Sequence, residues 1–340
     1  SDMMHLINQS PFQAIAVPSI CHEDKHHVVV VIKGTFGIGD PEQGVFISGK
    51  QEKVNLEDVY WGEPGKFSLK YESDLAISKP GTDVALIGKA RSPRGAVKQL
   101  DVSLRAGPLH KVIRVFGNRY WEKTGTGWKM TEPEPFESMP LVYEFAYGGT
   151  DPWQKPDELP DTDMRNPVGR GYGSKQSHRA TKQIKLPNLE LPDQLITDLR
   201  QQPEPAGFGF VARNWLPRSA LLGTYDEAWE KERNPLLPED FDPLSYSAAS
   251  PGLRSDEHFI GGEQVVIDNV SASGQLSFTL PQNQIKVITY INEQRTEHPT
   301  KLDTVIIEPG RKRVMLSWRV AIPCHWNLSM IEWIKVMEVK

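Results

Sequence analysis

The chain has 340 residues, with 39 Lys and Arg against 44 Asp and Glu, a formal net charge of −5 and a pI near 6.0. That balance excludes a polycation built to coat nucleic acid, and 38% apolar residues with 9% aromatics exclude a disordered chain. Gly and Pro number 27 each, short of low-complexity composition, so the expectation is a folded, turn-rich protein of two units or one large β fold.

From 27 to 147 the pattern is β. The run HVVVVIKGTF at 27–36 is continuous and β-branched, which suits a strand buried on both faces. Strands are expected at 67–71, 83–89, 97–104 and 109–116, with Pro-Gly turn signals between them, and two-sided burial is also expected at 109–116.

Residues 148–262 carry 13 of the 27 prolines and little period-2 patterning. Within them, 165–185 holds six Lys and Arg and no acid, and reads as a structureless loop, mobile in the free protein. Two short helices are expected. One spans 192–201, with Leu195, Ile196 and Leu199 on one face; the other is capped by Thr224 with Glu227 completing a capping box, and ends by Pro235. Strands return at 264–270, 275–280, 285–291, 304–308, 313–322 and 331–336, and Val314, Leu316, Trp318 and Val320 share a face. The organisation is therefore an N-terminal β region (1–147), a loop-rich central segment (148–262) and a C-terminal β region (263–340). The fold class is mainly β, a β-sandwich or barrel-like set of antiparallel sheets.

Catalytic chemistry finds little purchase. Cys21 and Cys324 lie at opposite ends, too few for a disulfide framework and ordinary in a reducing cytoplasm. Each is followed by His (His22, His325), but adjacent residues on a strand point to opposite faces. Cys21, His22, His26 and His27 lack structural-zinc spacing, and the acids Asp157, Glu158, Asp161 and Asp163 lack that of a calcium loop and read as solvated. The glycines at 169, 171 and 173 follow no strand and fail as a nucleotide fingerprint. No catalytic, cofactor or metal site is expected. The longest apolar run, 28–32, is too short to span a membrane, and no secretory signal is visible, so a cytoplasmic protein without nucleic-acid or membrane partners is expected.

What stands out is polar and aromatic. Tyr147 and Asp151 end a strand in two glycines; Trp215 and Arg218 follow a Gly-Phe-Gly segment; Tyr225, Asp226 and Trp229 precede Asp240 and Asp242. Between 226 and 242 seven acids face two bases. These side chains either tie long loops together through charge-assisted hydrogen bonds or form a recognition surface, since Trp, Tyr and Arg are the usual anchors of interfaces. Trp229 is expected to pack in the core.

At these residues the chain resembles the type VI secretion effector adaptor or chaperone family. The resemblance runs through VVIKGTF at 30–36, SDL at 73–75, YGG at 147–149, NPVG at 166–169, LPNLE at 186–190, PAGFG at 205–209, WLPR at 215–218, GTYDEAW at 223–229, LPEDFD at 237–242, GGE at 261–263 and LDT at 302–304. It departs at Phe210, where Pro is expected, and at SAASPGLR, 247–254, where the family is richer in Asn, Pro, Asp and Gln. The resemblance implies a non-enzymatic protein that binds an effector toxin, often one with a PAAR-like domain, and helps load it onto a valine–glycine-repeat spike. Two other readings remain: a hydrolase or carbohydrate-active enzyme using paired carboxylates, such as Glu144 with Asp151 or Asp226 with Asp242, and a structural component of the secretion apparatus.

Overall fold

The β-branched run at 28–32 lies in the long strand His26–Ile38, the centre of the computed structural model, which describes residues 5–153, 157–324 and 330–339. Arg313–Pro323 pairs antiparallel along one side of it and Gln13–Ile20 along the other. Beyond Arg313–Pro323 come Lys301–Glu308, then Thr82–Leu86 in a parallel pairing, then Arg254–Ser255 at the edge. Val45–Ile47 joins the end of the central strand as the seventh member. A five-stranded antiparallel sheet runs Leu189–Glu190, Leu109–Phe116, Gln99–Ala106, Gln264–Asp268, Gln275–Thr279. A four-stranded sheet runs His5–Asn8, Ile331–Val339, Gln284–Ile291, Gln294–Pro299. Every one of these sheets has open edges, so the fold is mainly β with no closed barrel.

One apolar cluster draws on all three sheets. Val30, Ile32 and Leu316 come from the first, Val102, Leu104, Ile113 and Ile267 from the second, and Val287, Ile334 and Val336 from the third. Phe12, Phe36 and Trp318 pack together in it, with ring centroids 5.4 to 6.4 Å apart. Successive side chains on a strand face opposite ways. Val29 and Val31 therefore belong to a separate small cluster with Val54, while Lys33 and Thr35 on the same face meet polar partners. The segment around 48–79 covers this second face; the Gln51 carboxamide bonds both the N–H and the C=O of Thr35. The central strand is thus buried on both sides, as its composition requires.

Several expectations are corrected. Leu109–Phe116 buries Ile113 and Val115 but exposes His110: one face of this antiparallel sheet meets solvent. No helix forms at 192–201. There the N–H of Ile196 is captured by the Glu190 carboxylate, and those of Thr197 and Asp198 by the Gln201 side chain, so side chains take the donors a helix would need. The basic stretch 165–185 is built of short elements, Arg170–Gly171, the helix Lys175–Ala180 and Gln183–Lys185. The edge strand Gln13–Ile20, which contains Pro18, was not expected at all.

Candidate protein-binding surface

The largest concentration of charge is inside. On the second face of the central sheet, Lys33 donates to Asp74 at 2.9 Å, and Lys79 to Asp83 at 2.8 Å and Glu72 at 3.2 Å. Arg218 reaches Glu72 at 2.6 Å and the carbonyls of Val211 and Ser245; Arg319 reaches Asp303 at 2.6 Å and the carbonyls of Asp74 and Ala76. Asp303 is the extra residue of a β-bulge, where pairing steps from Leu302 opposite Trp318 to Thr304 opposite Ser317. Four cations and four carboxylates thus balance, each no more than 7% exposed. Burial alone would weaken proton binding by Lys79, but Asp83, Glu72 and Asp303 outweigh it and hold the ammonium above its ordinary range. Such a network leaves no group free for a substrate. It joins the sheet to the 72–83 and 211–248 segments, the latter also through Asp83, which accepts from Ser247 Oγ and the Ala248 N–H.

Arg218 is therefore interior, and so are three more of the residues singled out above. Trp215 is 4% exposed and lies edge-on to Tyr143, centroids 5.6 Å apart. Tyr147 packs with Trp121, Leu186 and Ile196. Asp151 is buried, which disfavours its charge, but hydrogen bonds from Ser174, the Trp153 N–H and Ser177 prevail and hold its carboxyl below the usual range. The two glycines after Tyr147 have a steric reason: Gly148 sits at φ +144°, and a Cβ there would stand 2.2 Å from the Asn166 carbonyl oxygen. Asn166 clamps this turn by donating from Nδ2 to the carbonyls of Tyr143 and Tyr147. Asp163 is buried too, forked onto Arg165, and so is not a solvated loop acid.

Apart from the buried Pro238 and Phe241, the 223–242 stretch lies largely at the surface. Asp226, rather than Thr224, caps the helix Glu227–Glu232 by accepting from the Trp229 N–H at 2.9 Å. Thr224 is held by Asp240, whose carboxylate accepts from the Thr224 hydroxyl and N–H and sits below its ordinary pKa because of them. Asp242 caps the short turn Pro243–Tyr246. Trp229 is half-buried and outside the core: its ring meets the exposed Tyr225 at 4.7 Å, and its Nε1–H donates to the Leu236 carbonyl. The GTYDEAW and LPEDFD blocks thus fold against each other. Cys21 and Cys324 are free and half-buried; His325 lies outside the described residues. Among the described residues no three His, Cys, Asp or Glu side chains converge as a metal centre requires, and no helix is long and apolar enough to cross a membrane.

An open groove of about 1120 Å³ lies where the hairpin of Val59–Tyr60 and Leu69–Tyr71 meets the ribbon of Lys89–Arg91 and Ser138–Pro140. Its floor includes Ile87, Val142, Phe145 and Val270; Trp61 and Phe67 line it while 43% and 42% exposed. The Glu144 carboxylate pins the hairpin by accepting from the Ser68 N–H and hydroxyl, both at 2.7 Å. Glu308 holds Tyr71 Oη and Arg313 Nε; burial, with the Glu308 carboxylate adding to it, pushes the Tyr71 phenol up to about 12. Lys70 lies over the Trp61 ring at 4.5 Å.

Residues 23–319 match the family described as an uncharacterized protein conserved in bacteria, DUF2169. The chain belongs to the DUF2169 family. No curated protein and no solved structure matches it. In this DUF2169 chain the four carboxylates a glycosidase reading would pair are each engaged elsewhere: Glu144 by Ser68, Asp151 by the Trp153 N–H, Asp226 and Asp242 as caps. None of the groove's aromatics was singled out from sequence. The available signal was the EPG turn at 63–65 with Trp61 and Phe67 on either side, a hairpin whose tip presents two large rings.

Proposed function

We propose that this DUF2169 chain is a non-enzymatic adaptor: it holds a toxic effector in the cytoplasm and assists its loading onto the type VI secretion spike. The observation that carries the reading is the groove. Its walls are exposed aromatics on a hairpin that part-buried hydrogen bonds to Glu144 and Glu308 hold in place, whereas the protein's interior charges are closed into a balanced network. A rigid concave surface with exposed Trp and Phe suits binding another protein, because rings bury much area for little conformational entropy. The resemblance of the GTYDEAW and LPEDFD blocks to effector adaptors supplies the class of partner. The test is co-expression with the effector encoded beside it, followed by size exclusion at micromolar concentration. Co-elution is expected; separate elution overturns the reading.

A further inference from the structure

On a chain of net charge −5, the groove gathers several bases at one apolar site. Some half-buried bases of the protein are tied to acids, as Arg114 is to Asp101 and Arg233 to Asp24. At the groove, Lys89, Arg91 and Arg311 are exposed, and none of them makes an ion pair. Of the groove's three acids, Glu308 is neutralised by Arg313, Glu144 keeps its charge while accepting from Ser68, and Glu137 faces solvent. Lys70 joins the other three bases, so cations outnumber the acids. The site is therefore locally basic and apolar at once.

The spacing of the cations adds shape. Lys89–Arg91 is a strand whose middle residue, Ala90, is buried, so Lys89 and Arg91 stand out on the same face. Alternate residues of a strand lie roughly 6.8 Å apart, and carboxylates at alternate positions of an extended peptide repeat at that same interval. We propose that the groove's occupant is an extended acidic segment of the partner protein, its carboxylates meeting Lys89, Arg91 and Arg311 and its apolar side chains meeting Trp61 and Phe67. This rests on the adaptor reading and names the chemistry of the segment the adaptor grips. Four cations against the charges of Glu137 and Glu144, on a chain acidic overall, suit a short acidic peptide; a nucleic-acid strand would be repelled by the rest of the surface.

The test uses a random peptide display library, selected on the wild-type chain and counter-selected on Lys89→Glu/Arg91→Glu/Arg311→Glu. Because these cations are exposed and unpaired, the variant should melt with the wild type; should it not, Arg91→Glu alone takes its place. Enriched peptides are expected to be acidic and to carry aromatic or aliphatic residues. A fluorescently labelled representative should bind wild type and lose at least about tenfold in affinity to the charge-reversed variant and to Trp61→Ala. Raising salt from ~50 to ~500 mM should weaken it further. No enrichment, enrichment without acidic bias, equal binding to the variants, or displacement by oligothymidylate would each overturn the proposal. An effector that co-elutes equally with wild type and the charge-reversed variant sinks this inference and leaves the adaptor standing. One that fails to co-elute with wild type sinks the adaptor, while the peptide selection still reads the groove.

Discussion

Replacing Arg218 by alanine separates a loop-organising role from a partner-binding one. The guanidinium is 6% exposed and makes four hydrogen bonds, one to Glu72 at 2.6 Å, one to the Val211 carbonyl at 2.7 Å, and two to the Ser245 carbonyl at 3.0 and 2.8 Å. Its loss leaves Glu72 buried with only the longer Lys79 contact and strands two carbonyls. Removing one partner of a buried pair costs about 3–5 kcal/mol, most of it from the charge left behind. At about 2.1 cal/mol/K per residue the whole chain unfolds with an entropy near 0.7 kcal/mol/K, so Tm should fall by about 4–7 °C. Arg218→Lys, which can serve Glu72 or the carbonyls but not both, should fall between. Thermal unfolding followed by circular dichroism at pH 7 reads this directly. If Arg218→Ala melts within about 1 °C of wild type, the network does not hold the 211–248 segment and the argument fails.

Trp229→Ala should cost about 1–2 kcal/mol, the ring pair with Tyr225 and one hydrogen bond, and so lower Tm less than Arg218→Ala; a larger loss in the same melting assay would place Trp229 in the core after all. Gly81→Ala should abolish soluble expression, since a Cβ there would stand 1.7 Å from the Ser255 carbonyl oxygen in the backbone of the sheet edge; a soluble variant with wild-type melting would show that this edge can shift. Burial pushes the His178 and His298 imidazoles down, so the unfolded chain takes up protons first and stability should decline as pH falls below about 6.5. Asp151, held below its ordinary range, adds a second loss as pH falls below about 4, and Asp151→Asn should flatten that part of a Tm-versus-pH series while deepening the histidine part, because the Asp151 charge partly offsets the burial of His178.

Local patterning was enough for the central strands, though not for edge strands such as Gln13–Ile20 and Gln294–Pro299. The run at 27–36, the strand Leu109–Phe116 and the expected C-terminal strands all appear within a few residues of where β-branched composition and Pro-Gly turns put them, because those signals act over neighbouring residues. It was not enough for the 192–201 segment, whose helical spacing lost to Glu190, six residues from the N–H it captures, and to Gln201. Nor did it settle Thr224, a sound cap by sequence that Asp240 claims from sixteen residues away, leaving Asp226 to start the helix. The candidate residues were visible as unusual side chains, but only packing sorted them: Tyr147, Asp151, Trp215 and Arg218 inside, Tyr225, Asp226, Asp240 and Asp242 at the surface, Trp229 between. The groove was hidden for the same reason. Trp61, Arg91, Phe145 and Arg311 are spread over 250 positions of sequence, and whether a base is free or paired depends on carboxylates that only the assembled sheets bring near or keep away.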